Sequence, residues 1–277
     1  MKPGSAKWVI DRLLLERALP TGRPNLAEAL ASQGNETFVM DYSSRRLPED
    51  LPAWEGECVV AYGSVQMVRA VAKARAGSWQ PGSFCRPERL SYSAWSPWLG
   101  DLMLNDDFVI LPYGEFKRRG VDAWGGAAFV RPDAVTKSFT GLVIKKDDFA
   151  HELNSLERLS HVQPEEMVVV ARPKSILGEF RFVIADGDVV TGSAYSWERK
   201  LDVRSDVHPG CEELAAEVAG RPWQADRVYT CDVALSDEGP RLLELNAFSC
   251  SGLYACDTSL VAKAVSEAAL REWAGEG

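Results

Sequence analysis

Short apolar runs, glycine turns and amphipathic stretches alternate along the chain. Thr37–Met40 (TFVM) and residues 58–61 (CVVA) are apolar enough for buried strands, and Asn25 can cap the helix before the first. A Tyr62-Gly63-Ser64 turn ends the second run. VQMVRAVAKARA, from Val65, then carries apolar residues at helical spacing. Strand, glycine turn and helix form the unit of a parallel sheet. The turn is not GxGxxG, so a dinucleotide site has little support. Residues 78–100 are rich in Trp, Pro, Ser and Gly and read as an ordered connecting region with packing tryptophans. A shift in composition at LPYGEFKRRGVDAWGG puts a boundary near residue 110.

Beyond it, AAFVRPDAVTKSFTGLVI reads as a strand, a polar turn and a second strand. KDDFAHELNSLERL is a helix with acidic residues in its first turn, where the helix dipole favours them. Met167–Ala171 is a strongly apolar strand stopped at Arg172-Pro173. GEFRFVIADGDVVTGSAYSW is a hairpin turning at Asp186-Gly187, with Phe180, Phe182 and Ile184 alternating with Arg181 and Val183. CEELAAEVAG is a helix. DRVYTCDVALSDEGPRLLELN is a second hairpin, turning at 236–240, and a helix that Asp257 or Thr258 could cap closes the sequence. There are no internal repeats.

The 277 residues suit two domains or one multi-lobed domain, and 46% hydrophobic residues mark a globular chain. With 31 basic and 40 acidic residues, the net charge of -9 argues against broad binding to nucleic acid or anionic membrane, while leaving room for a local basic pocket. The first residues do not read as a signal peptide, since Asp11, Arg12, Glu16 and Arg17 interrupt their apolar run. No run reaches the length of a membrane span. These features lead to the expectation of a cytoplasmic protein. Six cysteines without a CxxC pair do not make a disulfide scaffold or a zinc signature, and a count of only three histidines argues against a histidine metal site.

The chemistry concentrates in RLLELN. Leu242, Leu243 and Leu245 read as a buried strand, yet Glu244 and Asn246 interrupt it two residues apart, on one face. With the turn near Asp237-Glu238-Gly239, Asp232 on the partner strand lies across from Glu244. Two carboxylates and an amide oxygen then converge at one sheet end. Hard oxygens without imidazole suit magnesium, which keeps waters and shares substrate phosphates. A surface hairpin with solvated charges is the competing reading, but Glu244 sits between leucines. Phosphates need cations, and Arg131, Lys137, Arg172, Lys174 and Arg181 are the candidates. Arg181 is mid-strand on the face opposite the phenylalanines, two residues from Glu179. Cys231 and Cys250 flank this region and read as small packing residues.

The order of FVRP, a loop with Lys137 and FTG, an apolar strand ending ARPKSI, then GEFRFVI, CDVAL and LLELN resembles the ATP-grasp superfamily, and more narrowly its R2K clade. The match covers about residues 110 to 260, and VVAYGS with LNDDFVILPYGEF resembles the preceding domain of that clade. The resemblance implies a mixed α/β and α+β fold: a pre-ATP-grasp α/β domain over residues 1–110, then a two-lobed ATP-grasp fold with lobes at 111–172 and 173–277. It implies that Asp232, Glu244 and Asn246 hold magnesium and that Arg131 contacts phosphate. Lys137 would lie in the loop covering the phosphates, and the backbone of Val170, Ala171 and Arg172 would meet adenine. Glu179 would sit near the ATP, and Arg181 would neutralise the transferring phosphate and an acyl phosphate. Arg131 replaces the commoner lysine with a planar fork.

The implied activity is an ATP- and magnesium-dependent ligase joining a carboxylate to an amine, on small-molecule or peptide substrates. Alternatives are a phosphotransferase or ATPase of the same fold, or a non-catalytic nucleotide-binding module. Arg199 and Lys200, in SAYSWERKLDVR, are candidates for a substrate carboxylate, with a solvated loop equally compatible. A homodimer through an apolar strand or the last helix is compatible with the sequence, which does not select it.

Overall fold

The computed structural model describes residues 4–16, 22–135, 138–160 and 162–276. The described residues build three sheets. The first is parallel, ordered β2-β1-β3-β4, from β1 (Lys7–Asp11), β2 (Thr37–Met40), β3 (Glu57–Tyr62) and β4 (Trp79–Gly82). Its strands are apolar on both faces because both are covered. Trp8, Ile10, Val60 and Tyr62 face the closing helix Thr258–Trp273. Val9, Val59 and Ala61 pack with Met67, Val68 and Val71 of the helix Val65–Ala74. Asn25 forms a full capping box with Glu28, and Asp257 caps the closing helix.

The second sheet is antiparallel, ordered β5-β8-β6-β7, from β5 (Val109–Pro112), β6 (Ala127–Pro132), β7 (Leu142–Lys145) and β8 (Met167–Ala171). The helices Tyr113–Arg119 and Phe149–Ser160 contribute Phe116, Leu153 and Leu156 to its core. The third is antiparallel, ordered β11-β10-β9-β12-β13, from β9 (Gly178–Ala185), β10 (Asp188–Trp197), β11 (Lys200–Arg204), β12 (Val228–Ser236) and β13 (Gly239–Ala247). Asp186 and Gly187 both have positive φ, 50° and 83°, as a tight β9–β10 turn requires. The helix Pro209–Ala219 covers one face of this sheet.

Four strands escaped the sequence reading, among them the edge strand Val109–Pro112, which lies at the boundary placed near residue 110. Lys7–Asp11 is a central parallel strand only five residues long, and its neighbouring charges masked it. Trp79–Gly82 lies inside the stretch read as a connection, which also folds into the helix Tyr92–Leu99. Lys200–Arg204 is an edge strand whose charged pattern reads as loop.

The 3₁₀ turn Phe248–Cys250 ties the third sheet to the first. The Phe248 ring is fully buried, edge-on to Trp8 at 6.3 Å and 5.5 Å from the Tyr62 ring. Gly63 N–H donates to the Ser249 carbonyl at 2.8 Å, and Phe84 N–H donates to Ser249 Oγ at 2.9 Å. Tyr62 Oη donates to the Ser251 carbonyl at 2.6 Å. Replacing Phe248 by alanine removes the ring from this junction. Chemical denaturation of Phe248→Ala is expected to show a loss of about 3–5 kcal/mol, with Phe248→Leu clearly milder.

Candidate active site between the second and third sheets

The hairpin of β12 and β13 pairs Ser236 with Gly239 and keeps a regular register as far as Val233 and Leu242. There the register slips by one. Asp232 stands opposite Glu244, so Leu243 is an extra residue, a β-bulge. Without it Asp232 would face a leucine. The bulge lets Leu242 and Leu245, three apart, both enter the core, while Leu243 lines a cavity beside Glu244. The expectation that all three leucines are core residues is therefore corrected at Leu243.

On its other edge β12 pairs with β9, which sets Arg181 directly across from Asp232. The pair is bidentate: Arg181 Nε donates to Asp232 Oδ1 at 2.8 Å and Nη2 to Oδ2 at 2.7 Å. Both residues are buried, with Asp232 only 1% exposed. Burial opposes the Arg181 charge, but Asp232 more than offsets this and holds the guanidinium firmly protonated. Nη1 donates to the Gly252 carbonyl at 3.0 Å. The guanidinium lies against Tyr254 and Tyr195, whose rings stack with centroids 4.8 Å apart. Tyr195 is itself at a register shift in β10, between Ala194 and Ser196, and Tyr254 has a left-handed φ of 50°. Two bulges and one strained residue thus surround one arginine.

Asn246 joins the carboxylates: its Nδ2 donates to Glu244 Oε1 at 2.9 Å and to Asp232 Oδ2 at 3.2 Å. Arg131, on β6 of the second sheet, reaches across to Glu244, with Nη1 2.9 Å from Oε2, and its guanidinium lies 5.7 Å from the Tyr92 ring centre. Glu179 accepts a hydrogen bond from Tyr195 Oη at 2.7 Å. The network stands between two cavities. One, about 300 Å³, opens between Phe129, Arg131, Thr140, Glu179, Leu243 and Glu244. The other, about 270 Å³, opens between Val65, Cys85, Val135, Arg181, Asn246 and Cys250. A larger cavity of about 670 Å³ lies elsewhere, where Arg86, Arg221 and Arg227 are paired with Asp226, Asp101 and Asp186.

Of the residues singled out in the sequence, Arg131, Glu179, Arg181, Asp232, Glu244 and Asn246 come together. Val170 and Ala171 are buried in β8, paired to Val130 and Phe129 of β6, and the Phe129 ring lines the larger of the two site cavities. Arg172 follows at an exposed position, opening the segment 172–177 that links the second sheet to the third. Arg199, in the turn after β10, and Lys200, the first residue of β11, are exposed and outside both cavities. Lys137 lies outside the described residues. Sequence reasoning missed Tyr195, Tyr254 and the Gly252 carbonyl. The tyrosine of SAYSW, on the strand next to Arg181, was the available signal.

Burial pushes the Glu179 carboxyl above its ordinary range, against the hydrogen bond from Tyr195 and with reinforcement from the Asp232 charge. A carboxyl raised in the folded state stabilises fully at low pH. That contribution is lost as pH rises from the ordinary carboxylate value through the raised one. Glu179→Gln cannot ionise. Its stability relative to the parent is expected to increase as pH climbs through that window, read by denaturant titrations at successive pH. A pH-independent difference would refute the raised carboxyl.

A family model, the ATP-grasp domain of R2K clade family 3, matches residues 59–265. No curated protein matches the sequence. Among solved structures, the chain is similar to the RimK domain ATP-grasp protein from Sphaerobacter thermophilus. The identity is 15% and the TM-score 0.59, covering 93% of this chain and 98% of that one. It is also similar to D-cycloserine synthetase DcsG, at 13% identity and TM-score 0.62, covering 96% and 100%. A third similar structure is the ATP-grasp ligase PsnB with minimal precursor, Mg and ADP, at 15% identity and TM-score 0.54, covering 95% and 97%. At these identities the likeness is one of fold, and it extends over nearly the whole of both chains. The family model spans more than half of the sequence: the chain belongs to the ATP-grasp domain family, R2K clade family 3.

Proposed function

We propose that the protein is an ATP- and magnesium-dependent ligase that activates a carboxylate as an acyl phosphate and transfers the acyl group to an amine. The observation that carries this reading is the buried network of Arg181, Asp232, Asn246, Glu244 and Arg131 standing between two cavities. The larger cavity suits the nucleotide, with the 172–177 segment at its edge. The smaller has Arg181 and Asn246 on one side and Val65, Pro87 and Val135 on the other, which suits a small carboxylate with an apolar body.

The donor set fits magnesium in kind. Two carboxylates in cross-strand register and one amide side chain share hydrogen bonds, which groups three side chains of the oxygen-donor type that magnesium takes. Each carboxylate also faces a guanidinium, Arg181 at Asp232 and Arg131 at Glu244. A divalent cation together with phosphates offers both sets of groups new partners: carboxylates to the metal, guanidiniums to phosphate oxygens. Asp232, Glu244 and Asn246, the last presenting Oδ1, would hold the magnesium, which when bound neutralises triphosphate oxygens.

The remaining work belongs to the chain. Arg131 and Lys137 would bind phosphates, and the backbone of Val170, Ala171 and Arg172 would border adenine beside Phe129 and Glu179. Arg181 would hold the carboxylate in line with the γ-phosphorus and stabilise the charge that develops there. The carboxylate oxygen bonds to that phosphorus as the bond to the ADP oxygen breaks. The amine nitrogen then bonds to the acyl carbon, phosphate departs and the amine releases its proton. Stabilising spread negative charge is most of what such transfers need, and no nucleophilic side chain is called for. The similar solved structures include one named as a D-cycloserine synthetase and one of PsnB with a precursor peptide, so both small molecules and peptides belong in the screen.

The test is thermal unfolding with ATP plus magnesium, set beside each alone. At about a hundred times Kd a ligand adds roughly 2.7 kcal/mol, a shift of about 5–10 °C for a chain of this size. A shift needing both components is expected, then ADP release with a matching acid and amine. Glu244→Ala should remove the magnesium-dependent part. Arg181→Lys keeps the charge but loses the fork; it should retain the shift while slowing ADP release about 100-fold or more. No shift at millimolar ATP with magnesium would overturn the reading.

A further inference from the structure

Two of the six cysteines differ from the rest. Cys58, Cys211, Cys231 and Cys256 are buried in the cores, whereas Cys85 and Cys250 are half-buried. Both line the 270 Å³ cavity into which Arg181 and Asn246 also open. Cys85 follows β4 in the first sheet's domain, and Cys250 ends the 3₁₀ turn beyond β13. The chain brings them together through their neighbours: Phe84 N–H donates to Ser249 Oγ at 2.9 Å, and Ser249 N–H donates to the Phe84 carbonyl at 3.2 Å. Each thiol is the largest influence on the other's protonation, as expected of two side chains set next to each other.

We propose that Cys85 and Cys250 form a redox-active dithiol in the wall of this cavity, oxidised to a disulfide by small disulfides such as glutathione disulfide. The backbone clamp between their neighbours brings the pair to one wall, and both line a cavity that opens to solvent. The other four thiols lack that access. Burial also pushes Cys58, Cys211 and Cys256 up to about 12 each, keeping them protonated and unreactive. The neighbouring Cys250 draws Cys85 down, against burial, and Cys250 moves up in turn. Cys85 is therefore the attacking member.

The exchange balances with the small disulfide as oxidant. The Cys85 thiolate attacks one of its sulfurs, and one small thiol leaves. Cys250 then attacks the Cys85 sulfur of the mixed disulfide and expels the second small thiol. One S–S bond breaks and one forms; two electrons pass to the oxidant, and the two thiol protons leave on its products. The bridge would fasten the segment after β4 to the end of the strand that carries Glu244 and Asn246. It would also close a loop of more than half the chain, which restrains the unfolded state. None of this rests on the ligase reading.

The experiment treats the reduced chain with glutathione disulfide and maps its peptides without reduction. Expected are a Cys85–Cys250 crosslinked peptide, the loss of two free thiols with the other four retained, and a higher Tm that dithiothreitol reverses. Cys250→Ser should accumulate glutathione on Cys85, with no resolving thiol, while Cys85→Ser should be modified at Cys250 far more slowly. The proposal is overturned by either of two results: both thiols remain free after other cysteines have reacted, or stable glutathione adducts or links between chains appear in place of the internal bridge.

Discussion

A guanidinium buried as deeply as that of Arg181 needs a partner of opposite charge in fixed geometry, and Asp232 supplies both oxygens of a bidentate pair. Such a pair contributes little net stability, because desolvating two ions offsets their attraction. Removing one partner alone, however, costs about 3–5 kcal/mol. The pair therefore constrains its surroundings more than it stabilises them. It fixes the register of β9 against β12, since a slip of one residue would turn Arg181 toward the opposite face and the phenylalanine core. With that register set, the carboxylate of Asp232 lies within reach of Asn246, and Asn246 links it to Glu244.

The same constraint explains the bulges. A regular β13 would alternate strictly, and no regular strand can send both Leu242 and Leu245 to the core while pairing Glu244 with Asp232. The extra residue at Leu243 resolves the conflict. A second register shift frees Tyr195 from the β9 ladder to lie beside the guanidinium and hydrogen-bond Glu179. Local sheet geometry has been given up where polar groups converge, as bulges near functional sites commonly do.

These features divide what the sequence discloses from what it conceals. Glu244 and Asn246 were legible because polar groups inside an apolar strand violate the pattern, and Asp232 followed from the hairpin turn. Strands such as Thr37–Met40 and Met167–Ala171 were legible to the residue, since a continuous apolar run bounded by polar or proline stops has few alternatives. The bulge at Leu243 was not, because a leucine triplet reads as core whichever leucine is displaced. Arg131 was recognisable as a cation, but its reach to Glu244 depends on how the second sheet meets the third, which no local pattern encodes. Lys7–Asp11 was concealed for the opposite reason: its hydrophobic signal is short, and its centrality comes from pairing with β2 and β3 far along the chain.

The parallel sheet has a direct part in holding the site. β13 ends at Ala247, and the next three residues form the 3₁₀ turn that enters the cleft over the first sheet. Phe248 seats between Trp8 and Tyr62, and Ser249 is held by Gly63 and Phe84. Tyr62 holds the Ser251 carbonyl, and one residue further on the Gly252 carbonyl accepts from Arg181. An unbroken run of contacts thus passes from Trp8 of β1 and the carboxyl end of β3 to the buried guanidinium. The first sheet anchors the loop that completes the Arg181 environment and supplies Val65 and Cys85 to the neighbouring cavity. Loops at this edge lie outside the β9–β12 pairing that places Arg181 opposite Asp232, so they can vary while that pairing stays. Such a division lets the buried ion pair be kept while the walls of the adjoining cavity change.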